Sequence, residues 1–182
     1  MTIEQLKEEV ISLVSRLPDH TDRAWLVGIY VSLRTAYYLD YKRDQFSKAQ
    51  KEKRESALGR VIEDSLLTPS DPFPAQELWR AGYFFNNALL RMVALAEIGL
   101  KVLYKKCKRE TPPEENYWKL AKWYESNFNN ELTYLNKARY QVNRYKHEPR
   151  DPTKERELES MDEGILAFRE LLSLMSGLAK AK

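Results

Sequence analysis

The chain has 182 residues, of which 43% are hydrophobic, 12% aromatic and 31% charged, enough apolar material to bury a core without staples or metals and too much for disorder throughout. Six glycines, where average usage would give about 13, favour helices, the architecture that tolerates fewest of them. A net charge of +3 from 30 basic and 27 acidic residues excludes the strong positive field of a dedicated nucleic-acid-binding domain and any large pull toward a membrane surface.

Periodicity and breakers predict one all-α domain over residues 1–182, a bundle of about five to seven helices with long central ones. A first helix is expected over 3–16, opened by a Thr2/Gln5 capping box and closed before Pro18, with Ile3, Leu6, Val10, Leu13, Val14 and Leu17 as its buried stripe. Asp19, Thr21 and Asp22 offer N-caps to a second helix whose Leu26, Tyr30, Leu33, Tyr37 and Tyr41 face the core. Beyond Tyr41 a charged run precedes a new stripe, Leu58, Val61, Ile62, Leu66 and Leu67, consistent with either one long helix or two. Pro69, Pro72 and Pro74 make 68–74 a connection.

From Ala75 to Lys108 the pattern predicts the central helix, with Trp79, Gly82, Asn86, Leu89, Val93, Ala96, Leu100, Leu103 and Cys107 on one seam. Phe84, Phe85, Ala88, Met92, Leu95, Ile98 and Val102 fill most of the remaining circumference. Pro112 and Pro113 then mark a stop and restart, and Tyr117, Leu120, Tyr124, Phe128, Leu132, Leu135, Ala138, Val142 and Tyr145 form the next stripe. Asn127, Asn129 and Asn130 allow a break within it. After a charged loop over 148–159, a last helix buries Leu158, Met161, Ile165, Phe168, Leu171, Leu172, Met175 and Leu178.

The lone Cys107 cannot form an internal disulfide, and no signal-peptide pattern opens the chain, so a cytoplasmic setting is expected. The most apolar run, 81–104, contains Asn86, Asn87, Arg91, Glu97 and Lys101, which argues against a membrane span. His20 and His147 lie far apart, so neither a metal nor another cofactor is expected. Phosphate loops and nucleophile elbows are equally missing from the sequence.

One cluster has chemistry to offer. Arg139, Asn143, Arg144, Lys146, His147 and Arg150 fall within twelve residues, and at helical spacing Arg139, Asn143, Lys146 and Arg150 share a face. An imidazole among cations stays neutral and can serve as a base while arginines hold a phosphodiester. Basic residues at a helix end also suit the macrodipole and need no ligand. Arg91 and Glu97, six residues apart in the apolar helix, point to different faces, and Glu97 has Lys101 one turn on. The basic run 104–109 includes Tyr104, which could stack a base.

Two segments, Tyr83-Phe84-Phe85-Asn86-Asn87-Ala88-Leu89-Leu90-Arg91 followed by Glu97, and Val142-Asn143-Arg144-Tyr145-Lys146-His147, resemble divergent HEPN-like helical proteins over residues 75–178. The resemblance implies an RNA-associated bacterial defence or stress module that works as a homodimer. Active members place an arginine ahead of the histidine with four to six residues between the two. Here Tyr140, Gln141 and Val142 occupy those positions, so the resemblance carries over only His147, with Asn143 beside it, and implies a non-catalytic or divergent role. Two other readings remain: an interaction bundle for a protein partner, and a metal-independent ribonuclease using His147 with Arg139 or Arg144.

Overall fold

The structure, a computed structural model, describes residues 3–57, 75–109, 117–147, 158 and 160–180, with backbone only at 43, 46, 47, 49–57, 75–81 and 144–147. Among these the chain is all-α. The described residues form six helices: α1 Gln5–Val14, α2 His20–Ala57, α3 Ala75–Lys108, α4 Tyr117–Phe128, α5 Thr133–His147 and α6 Met161–Lys180. Thr2, the stripe at 58–67, the connection at 68–74, the prolines at 112–113 and residues 148–157 lie outside the described residues.

α1 is shorter than its periodicity suggested. It starts at Gln5, with Glu4 at the N-cap and no side-chain cap. Its stripe is nevertheless the predicted one, since Leu6, Val10 and Leu13 are buried and Leu17 beyond the helix is fully so. Asp19 opens α2, its Oδ1 accepting from the amides of Thr21 at 2.6 Å and Asp22 at 3.3 Å. Of the three cap candidates, it is the one whose side chain precedes the first turn and can reach back-facing amides.

α2 is continuous to Ala57, which decides the one-or-two question as far as that residue. Leu26, Ile29, Leu33 and Ala36 are buried, but Tyr37 is only half-buried and Tyr41 is 55% exposed. The stripe outlasts its cover, because the ten-residue α1 shields only the first half of α2.

α3 packs against α2, α4, α5 and α6, the central position expected of it. Its burial is not all-round. Leu89, Met92, Leu95, Ala96, Leu100 and Leu103 are buried, whereas Asn86, Ile98, Val102 and Cys107 face outward. Four neighbours leave one sector of the helix open. α6 runs parallel to α3, with Gly164 against Phe85 near one end and Gly99 against Leu174 and Met175 further along. It buries Ile165, Phe168, Leu171, Leu172, Met175 and Leu178 as expected, and Leu158 and Met161 pack at the edge of the core. Ser160 caps it, its hydroxyl accepting from the Glu163 amide at 3.3 Å.

The asparagine-rich stretch does break. Asn129 adopts φ +49°, a left-handed conformation asparagine tolerates, and α4 turns there into α5. α5 is antiparallel to α6: Leu135 meets Glu170, Lys137 pairs with Glu163 at 2.7 Å, and Gln141 accepts from the Leu158 amide at 3.2 Å.

Candidate functional site

The α4–α5 hairpin gathers polar side chains from α4, α6 and the turn around the start of α5. α5 begins at Thr133, so its N-cap is Leu132, which has no side-chain acceptor for the first-turn amides. Two carboxylates from other helices supply them. Glu125 of α4 accepts from the Leu132 amide at 3.0 Å, and Glu170 of α6 accepts from Tyr134 at 3.1 Å and Leu135 at 2.8 Å. Beside them Asn130 Nδ2 donates to Tyr124 Oη at 3.1 Å and to Ser173 Oγ at 2.6 Å, tying the turn to α6.

Burial raises the Glu170 carboxyl to about 7. The two amide bonds oppose the rise, and the nearby charges of Glu125 and Glu131 add to it. Glu170 therefore changes charge near neutral pH.

Opposite the turn, Tyr117 is 2% exposed and its hydroxyl, fully removed from solvent, has no hydrogen-bond partner among the described residues. Burial pushes its ionisation well above the ordinary phenol range; Arg139 works against that, and Glu170, Glu125 and Glu97 reinforce it. The Arg139 guanidinium carbon lies 4.6 Å from the centre of the Tyr117 ring and 5.6 Å from that of Trp118. The two rings meet edge to face at 6.0 Å. Trp118 itself is 43% exposed. A permanently charged fork held on an aromatic face, next to an open indole, is equipped to hold an anionic group and a flat ring together.

The predicted site residues divide into three groups. Arg139 and Glu97 come together electrostatically around Tyr117. Asn143 follows Arg139 by one turn of α5 and is half-buried. The α5 backbone stays helical through Arg144, Lys146 and His147, while the side chains of those three residues, and Arg150 altogether, lie outside what the structure describes.

Arg91 goes elsewhere. It lies over Gly28 of α2, where a methyl group would fall 2.7 Å from its Nη1. Glu97 forms the expected one-turn pair with Lys101 at 2.9 Å. Tyr104 packs edge-on against Trp123 at 4.9 Å and is partly buried.

Nothing matches. No family model, curated protein or solved structure is similar to this chain, so its own geometry carries the functional argument. Among the described residues, no helix is long and apolar enough to cross a membrane, and no three His, Cys, Asp or Glu side chains are grouped as a metal would require.

Sequence reasoning passed over Glu125 and Glu170, and it reads Tyr117 and Trp118 as packing aromatics, although Trp118 is 43% exposed. Glu170 had a readable signal: it sits one turn from Ala167 and from Leu174 and beside Leu171, on an otherwise apolar arc. Tyr117 had none, since an aromatic in a stripe reads as core, which it also is.

Proposed function

We propose that the chain is a non-catalytic, RNA-associated helical module of HEPN-like type, a cytoplasmic homodimer that contacts RNA through the Arg139 face of α5. The observation that supports this reading is the Arg139 guanidinium seated on Tyr117 and Trp118 with the indole still 43% exposed. Arg139 supplies charge for a phosphate and Trp118 a platform for an unstacked base. The basic last turn of α5, with Arg144, Lys146 and His147, extends the same helix end.

Fluorescence anisotropy of a labelled single-stranded oligoribonucleotide tests it. Base stacking is worth about 1–3 kcal/mol, so Trp118→Ala is expected to weaken binding by about 5- to 150-fold. Arg139→Gln is expected to weaken it and flatten its salt dependence. Binding that ignores both substitutions, or none at all, removes the proposal. In the latter case a protein-docking role is left, which the outward Leu90, Ile98 and Val102 of α3 favour. Cleavage of the RNA in the presence of a chelator, abolished by His147→Ala, would instead assign the ribonuclease role.

A further inference from the structure

A groove of about 560 Å³ runs between α1 and α6 and shares no lining residue with the Arg139 stack. Its floor is apolar, since Leu13 and Leu172 are only 2% and 4% exposed. Its rim is charged. Glu8 and Glu9 stand on the first half of α1, Arg16 in the turn that closes that helix, and Arg169 on α6, all four exposed. Two acids and two bases thus line one groove, yet among the described residues no carboxylate reaches either guanidinium at salt-bridge distance.

Arg16 is held in place by the backbone. Its Nε donates to the Ser12 carbonyl at 3.1 Å, which draws the guanidinium back along α1 and leaves both terminal nitrogens unspent. The acidic and basic ends are therefore less than two helical turns apart, about 11 Å. Ser12 lies between them on α1 and Ser176 lines the α6 side, and neither hydroxyl bonds to a protein group among the described residues. Two guanidinium groups and two hydroxyls offer more donors than the two oxygens of a carboxylate take up, and they suit the three outer oxygens of a phosphomonoester. Glu8 and Glu9 would repel a plain anion but attract an ammonium group on the same molecule. The leucine floor keeps water from one side of both contacts, which strengthens them.

We propose that the α1–α6 groove binds a small aminoalkyl phosphate, its phosphate held by Arg16 and Arg169 with Ser12 and Ser176, its ammonium by Glu8 and Glu9. The short aliphatic link between the two groups lies over Leu13 and Leu172. This site is independent of the RNA reading, with which it has no residue in common.

Isothermal titration calorimetry on the full chain in phosphate-free buffer tests it with O-phosphoethanolamine, inorganic phosphate and ethanolamine. O-phosphoethanolamine is expected to bind about tenfold more tightly than inorganic phosphate, because it adds the ammonium contacts, and ethanolamine alone is expected to bind more weakly than either. Arg16→Gln and Arg169→Gln are each expected to weaken O-phosphoethanolamine binding by about fivefold. The double variant Glu8→Gln/Glu9→Gln is expected to bind it no better than inorganic phosphate while binding phosphate at least as well as the wild type. All four side chains are exposed, so the variants are expected to keep the wild-type circular dichroism. No binding of O-phosphoethanolamine up to about 10 mM, no preference for it over inorganic phosphate, affinity unchanged in both arginine variants, or a preference that persists without the two glutamates would each overturn the site.

Discussion

Gly164 of α6 lies directly beneath the ring of Phe85 of α3, so close that a methyl group on its α-carbon would fall 2.8 Å from Cζ. Contact at that range lets the Phe85 ring of α3 rest directly on the backbone of α6, with no side chain from position 164 in the way. Phe85 is buried and its ring has little room to retreat. Gly164→Ala is therefore expected to destabilise by about 1–2 kcal/mol through overpacking, despite the better helix propensity of alanine. Gly177, on the same helix, has nothing within 4 Å of the equivalent position. Gly177→Ala is expected to stabilise by about 0.5–1 kcal/mol. Opposite shifts in Tm for the two variants are the outcome to look for.

The Tyr117 hydroxyl is buried with no partner among the described residues. Removing it should relieve an uncompensated desolvation while preserving the ring under Arg139. Tyr117→Phe is expected to raise stability by about 1 kcal/mol. Tyr117→Leu loses the aromatic face and some volume, and is expected to be less stable than the wild type. Urea unfolding measures both.

The pH dependence of stability should contain two terms of opposite sign. Amide bonds from Thr21 and Asp22 hold Asp19 below its ordinary value of 3.8, so its stabilisation is present above that value and is lost as the pH falls through the lower, folded one. Glu170 is raised from 4.5 to about 7. Its contribution is full below 4.5 and declines as the pH rises to about 7. Thermal unfolding from about pH 3 to pH 8 should show the wild type converging on Asp19→Asn at the acid end. Relative to Glu170→Gln, the wild type should lose ground toward neutrality.

Two ion pairs of similar length should differ in worth. Lys101–Glu97 spans 2.9 Å with side chains 41% and 39% exposed, and Lys137–Glu163 spans 2.7 Å at 29% and 18%. Solvent screens the first, so Lys101→Ala is expected to change stability by no more than about 0.5 kcal/mol. Glu163→Gln takes the carboxylate charge away from a position 2.7 Å from the Lys137 ammonium, which also lies 5.6 Å from the centre of the Tyr134 ring. A loss of about 1–2 kcal/mol is expected, and chemical denaturation of the two variants compares them.

The sequence by itself determined the all-α class, the limits of α3 and most of the buried positions of α6; it narrowed the cap of α2 to three residues and allowed, without deciding it, the asparagine break between α4 and α5. Each of these depends on residues within a turn or two of one another, where periodicity and capping chemistry act. It also placed Arg139 and Asn143 on one helix face, again a local matter. Only the tertiary structure decided that Arg139 rests on Tyr117, that Glu170 caps a helix whose own N-cap is leucine, and that Tyr41, Ile98 and Val102 face outward. Those outcomes join positions 22 to 35 residues apart or depend on how far neighbouring helices extend. The elevated Glu170 is of the same kind: a carboxyl leaves its ordinary range because of what the whole fold removes from around it, which is water, and what it gathers there, which is other carboxylates.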